Sequence, residues 1–228
     1  MLSLLALALS TLAAQPAEMP KPNYCFGFLK AAPNRPDLPK QELERIQAAH
    51  MAHLGKLAAE GWLLAAGPMG GTGLIRGILI SKCASLAEAV EKASADPAVK
   101  AGRLVVEAYQ WTGPEGIGEG YRKRREQQPD AQDKMAKHAM VIVRKGQGWK
   151  TPAEPAMRSH MAYMESQRKN GLAAMGPFHD SPEILGVVIY RNTTLEEARS
   201  RTSRDPMFQS GVELEALEWW CAEGVLPD

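Results

Sequence analysis

Four residues stand out for chemistry because they recur as pairs: His50 with Asp96, then His160 with Asp205. Each histidine lies in a stretch of helical periodicity, where imidazole is not chosen for propensity, and each aspartate directly precedes a proline. A carboxylate that accepts a hydrogen bond from one imidazole nitrogen fixes the tautomer and raises the basicity of the other. That second nitrogen can then remove or return a proton on a small substrate. Each copy also has a Gly-Pro pair, Gly67-Pro68 and Gly176-Pro177, expected to bring backbone close to such a pocket, where a free amide could stabilise an anion. The same residues suit structural work too: a histidine packed between helix and sheet, tied to an aspartate that forms a turn before proline. Residue types alone leave both readings open.

Other side chains join the candidate pocket by position. His53 lies three residues after His50, on the same helical face, and Tyr163 holds the matching place after His160. His50 and His53 could begin a metal site, but no third ligand follows, so neither metal nor cofactor is expected. His179-Asp180 could line the second pocket or form a plain turn, and His138 opens a strand. Arg76 and Glu107 alternate with apolar neighbours and point either into a pocket or to solvent.

These pairs belong to an internal repeat. His50-Met-Ala-His53-Leu matches His160-Met-Ala-Tyr163-Met, and a glycine follows eleven residues later in each, Gly61 and Gly171. Leu63 to Pro68 then matches Leu172 to Pro177, and Ser85-Leu-Ala-Glu-Ala89 matches Thr194-Leu-Glu-Glu-Ala198. Asp96-Pro97 and Asp205-Pro206 are each followed six residues on by a glycine, and Glu107 with Trp111 matches Glu215 with Trp219. Agreement in order and spacing along nearly both halves makes a tandem duplication.

The elements that must position the pairs follow from the pattern. An alternating apolar run opens each copy, at Tyr24 to Leu29 or Ala139 to Val143. A helix comes next, about Lys40 to Glu60 or Glu154 to Asn170, with Gly61 and Gly171 as left-handed caps. Two strands flank the Gly-Pro turn, and a second helix starts at Ser85 or Thr194 as N-cap with a glutamate three residues on. A last strand, Arg103 to Trp111 or Val212 to Trp219, completes βαββαβ. Such a sheet carries helices on one face only. The strands here are apolar on both faces, so the free faces should pack together. The expected fold is α+β: two ferredoxin-like βαββαβ modules packed sheet to sheet as a pseudo-dimeric α+β barrel, the first over 23–112 and the second over 138–222.

Composition bounds the partners. The chain of 228 residues has a formal net charge of +1, which offers no field for nucleic acid or an anionic membrane and leaves a small molecule as the expected partner. Residues 113–137 form a linker whose charge run, Tyr121 to Glu126, reads as a solvated helix or loop. Residues 1–20 read as a signal peptide and Pro-rich leader: an apolar run ends in small residues near Ala14, too short for a confident membrane span. Export to a periplasmic or extracellular space, without stable membrane anchoring, is the expectation. Cys25, Cys83 and Cys221 match no zinc spacing, and buried free thiols are expected for Cys25 and Cys83.

Taken together, the histidine motif, the glycine eleven residues on, Ala-Gly-Pro or Met-Gly-Pro, and Asp-Pro with glycine six residues on resemble the YciI (YCII-related) family. The resemblance runs over nearly the full length of both copies. It implies a ferredoxin-like fold that dimerises through its sheets, with a site built on His50 and Asp96, and on His160 and Asp205. It also implies lyase-type elimination on small hydroxylated rings, on a fold similar to that of muconolactone isomerases. This chain departs from the typical single-copy intracellular member by its duplication and its leader.

Overall fold

In the computed structural model the described residues are 21–208 and 211–227, so the leader lies outside them. The first copy runs β1 (Tyr24–Ala31), α1 (Lys40–Ala59), β2 (Leu63–Pro68), β3 (Ile75–Lys82), α2 (Leu86–Ser94), α3 (Pro97–Lys100) and β4 (Leu104–Trp111). A linker helix α4 (Glu119–Gln127) follows. The second copy runs β5 (Met135–Lys145), α5 (Glu154–Gln167), β6 (Leu172–Pro177), β7 (Ile184–Arg191), α6 (Leu195–Ser203) and β8 (Val212–Ala222). Gly61 and Gly171 take φ of +68° and +87°, the left-handed geometry that ends the first helix of each copy. Ser85 and Thr194 each accept a hydrogen bond from the amide three residues on, at 3.1 Å in both cases.

The two sheets have the orders β2-β3-β1-β4 and β6-β7-β5-β8, with every pairing antiparallel. Alternation along the strands divides their side chains between two cores. Phe26 and Phe28 on β1, and Met140 and Ile142 on β5, enter one core shared by both sheets. Cys25 and Leu29, or Val141 and Val143, face the helices instead. In the shared core Phe178 of the second copy sits 5.4 Å from Phe26 and 6.0 Å from Phe28, edge to face. Burying each such ring stabilises by about 1.5–3 kcal/mol, enough to hold the copies face to face. The sheet edges also meet: Met69 bridges Trp219 and Trp111 bridges Phe178, so both seams of the barrel are joined through backbone.

Three expectations need correction. Cys25 and Cys83 are not free thiols but a disulfide, with Cα atoms 4.9 Å apart. Antiparallel pairing places Cys25 opposite Ser81, two residues from Cys83, a proximity that a separation of 58 residues hides. Cys221 is free and buried, and burial pushes its thiol up to about 12. The linker is not merely solvated: Ile117 is buried in the shared core, and Gly118 donates to the Val225 carbonyl at 2.7 Å. Finally, β5 begins at Met135, so His138 lies inside a strand rather than at its start.

Candidate active site

Each histidine meets its aspartate. His50 Nδ1 is 2.6 Å from Asp96 Oδ2, and His160 Nδ1 is 2.6 Å from Asp205 Oδ2. Both aspartates are buried, and the second carboxylate oxygen of each is held as well. Asp96 Oδ1 accepts from the Ala98 amide at 2.7 Å, and Asp205 Oδ1 accepts from the Met207 amide at 2.9 Å. The sequence dictates this locally. An aspartate before proline caps the next turn with one oxygen, which leaves the other for the histidine on the preceding long helix. With the carboxylate as acceptor, Nδ1 carries the proton and Nε2 is the basic nitrogen. Neither Nε2 has a hydrogen-bond partner among the described residues.

The surroundings of the two dyads differ. His50 lines a cavity of about 1580 Å³ that runs beneath α1, around the edge strand β2, to the linker at Ile117 and Tyr121. Ile46 and Leu54 flank His50 on the helix wall, and Leu29, Leu79 and Leu104 form the sheet wall. Gly67 and Pro68 border it too. In the second copy the Phe208 ring stands 5.7 Å from the His160 ring. The histidine side chains are 14% and 7% exposed respectively. Counting from each aspartate, Ala98 and Val99 occupy the places of Met207 and Phe208. The first copy thus carries the smaller side chains after its aspartate.

Several candidates turn out to hold the fold together. His53 Nε2 donates to the Lys92 carbonyl at 3.1 Å, and Tyr163 donates its hydroxyl to the Arg201 carbonyl at 2.7 Å. Both are struts from the first helix to the last turn of the second, and neither lines the cavity beside His50. Among the described residues no three His, Cys, Asp or Glu side chains gather as a metal site would require. The Gly-Pro turns serve the seam between copies. A Cβ on Gly67 would fall 1.7 Å from the Trp220 carbonyl oxygen, and one on Gly176 would fall 1.6 Å from that of Thr112. The amides that follow are engaged: Met69 and Gly70 donate to Arg76 and Glu218, and Phe178 and His179 to Leu185 and Gln110. The first two amides after each proline are therefore not free to hold an anion. His179 lies at the same seam, its Nε2 2.6 Å from Thr112 Oγ1, and Asp180 accepts from the Gln110 amide.

Glu107 does not line the cavity. Burial would raise its carboxyl, but hydrogen bonds from Lys30 and Tyr109 hold it below the usual range. Burial and that carboxylate push Tyr109 up to about 12. His138 Nδ1 is buried without a partner, and burial, with Arg191 nearby, lowers the imidazole to about 4. The difference beside the dyads was present in the sequence, as Ala98-Val99 against Met207-Phe208, but it has meaning only once the dyad places that turn beside the histidine.

Comparison with known proteins agrees with this architecture. The YCII-related domain matches twice, over residues 28–112 and 136–220. A mutant chlorite dismutase from Candidatus Nitrospira defluvii superposes with a TM-score of 0.57 at 12% identity, covering 90% of this chain and 92% of that one. A heme-binding protein from Thermus thermophilus superposes with a TM-score of 0.53 at 11% identity, covering 92% and 94%. At such identities the likeness is one of fold. No curated protein is similar in sequence.

Proposed function

Because the chain belongs to the YCII-related domain family, once in each half, we propose that it is an enzyme acting on a small molecule in the cavity of the first copy. The observation that carries this reading is the free Nε2 of His50 on the cavity wall, with Nδ1 held by buried Asp96. His50 is the general base and Asp96 its positioning residue. Nε2 accepts a proton from an activated C–H or O–H of the substrate, and the Asp96 carboxylate stabilises the imidazolium that forms. The same proton then returns to a neighbouring atom, which gives isomerisation, or to a departing group, which gives elimination. The apolar walls suit a cyclic or aromatic substrate.

Phe26, Phe28, Trp111, Phe178, Met140 and Ile142 fill the space between the sheets, so the cavity beside His50 is the site this reading uses. We also place the protein in an oxidising, exported setting, which the Cys25–Cys83 disulfide supports.

A second reading, a binding module without catalysis, is favoured by the second copy. There the same bond ties α5 to the turn at Asp205, with the Phe208 ring beside His160, a structural task. Screening hydroxylated ring compounds for turnover, with wild type beside His50→Ala and His160→Ala together, separates the two. Turnover lost in the double variant supports the enzyme, and turnover that survives it removes the dyads from the chemistry.

A further inference from the structure

The strands under the two dyads differ at one position that faces the same way in both copies. Pairing between β1 and β3 shifts where Leu29 and Lys30 meet Gly77 and Ile75, which leaves Arg76 as the extra residue of a bulge. Pairing between β5 and β7 shifts identically, where Val143 and Arg144 meet Gly186 and Ile184, which leaves Leu185 as the extra residue. Each bulge is fixed in the same way. The Arg76 carbonyl accepts from Met69, and the Leu185 carbonyl accepts from Phe178, both at 2.9 Å. Leu185 packs into the helix-side core of the second copy. Arg76, at the matching place, lines the cavity that His50 also lines.

An arginine at this place has no structural cause in the chain. It makes no ion pair or hydrogen bond through its side chain among the described residues, and its Nε is buried without a partner. Leaving a guanidinium half-buried and unpaired is unfavourable unless a ligand completes it. The acids that border the cavity lie elsewhere in it. Glu44 faces Lys40 at 3.7 Å, Asp133 accepts from the Tyr121 hydroxyl at 2.8 Å, and Glu119 lies in the first turn of the linker helix. A planar carboxylate matches the guanidinium fork, and the leucine walls suit the body that carries it.

We propose that the first-copy cavity takes a small cyclic or aromatic carboxylate, with Arg76 as the anion anchor. This rests on the cavity of the first copy being the working site, but not on His50 acting as a base. Substrate charge would thereby be read at one wall and proton transfer would take place at the other.

Isothermal titration calorimetry with benzoate and its neutral, shape-matched counterpart benzamide tests the assignment. The variants are Arg76→Leu, which copies the second module, and Arg76→Lys, each checked for folding by circular dichroism. Wild type should bind benzoate at least about tenfold more tightly than benzamide, the margin of one charge-assisted pair. Arg76→Leu should erase that preference and Arg76→Lys should keep part of it. Equal binding of the two compounds by wild type, or a preference that survives Arg76→Leu, overturns the proposal. A preference lost in Arg76→Leu, together with turnover that does not depend on His50, would sink the proton-transfer reading and leave the anchor standing.

Discussion

The first and second copies carry the same histidine–aspartate bond, at the same 2.6 Å, and differ in what stands beside it. In the first copy Ala98, Val99 and Arg76 accompany the dyad, and His50 opens on a large cavity. In the second copy Met207, Phe208 and Leu185 accompany it, and all three belong to the helix-side core around Met164 and Tyr190. Duplication explains how this can persist. The shared inter-sheet core requires both copies to fold, but only one needs an accessible site. A buried dyad that ties the first helix to the following turn is useful to either copy, so its recurrence alone says little about catalysis. The divergence around it is the more informative signal.

The comparison can be broken most directly at the histidines. His50→Ala should lower turnover by about 10²- to 10⁴-fold, the usual contribution of a general base. His160→Ala should leave turnover within a few-fold and act on stability instead. Steady-state rates and urea midpoints for the two variants check this, and equal losses of rate would place chemistry in both copies.

A second asymmetry is covalent. The disulfide closes a 58-residue separation in the first copy, while Ala139 and Asn192 hold the corresponding places in the second. Replacing Cys25 and Cys83 with alanine should cost about 4 kcal/mol by the chain-entropy relation. Chemical denaturation measures it, and hydrogen exchange should locate the loss in the first copy's helix-side core.

The ring beside His160 can also be cut back. Phe208→Val should cost about 2 kcal/mol in a buried site and should raise the accessibility of His160. Its chemical modification by diethyl pyrocarbonate, read by mass spectrometry, should then approach that of His50. No change in reactivity would mean that something other than Phe208 shields the ring.

The smallest expected effect lies where His138 replaces Tyr24 at the matching place beside the last strand's tryptophan. The folded His138 titrates near 4, whereas the ordinary value is 6.5. Between those values the unfolded chain binds a proton that the folded chain refuses, so stability should fall as pH drops from 6.5 toward 4. His138→Tyr should flatten that part of the thermal-melting profile.

Much of the fold was legible because it is written in local spacing. Caps at Gly61, Gly171, Ser85 and Thr194, and strand alternation from Tyr24 to Leu29, fix elements without reference to distant chain. The dyads were legible because Asp-Pro and a mid-helix histidine recur together. What stayed hidden depends on long-range register. The disulfide needs the pairing of β1 with β3, and the roles of Gly67 and Gly176 need the other copy's last strand. His53 looked like a pocket residue because it shares a helical face with His50. Its strut to Lys92 becomes visible only when Tyr163 is seen making the same contact by different chemistry.

The most direct test is side-chain NMR of the five histidines while benzoate is added, with Asp96→Asn and Asp205→Asn used to assign His50 and His160. The account predicts saturable movement of the His50 ring signals and none of the His160 signals. Movement of His160 with the same affinity, or a His50 ring indifferent to a ligand that binds, would contradict it.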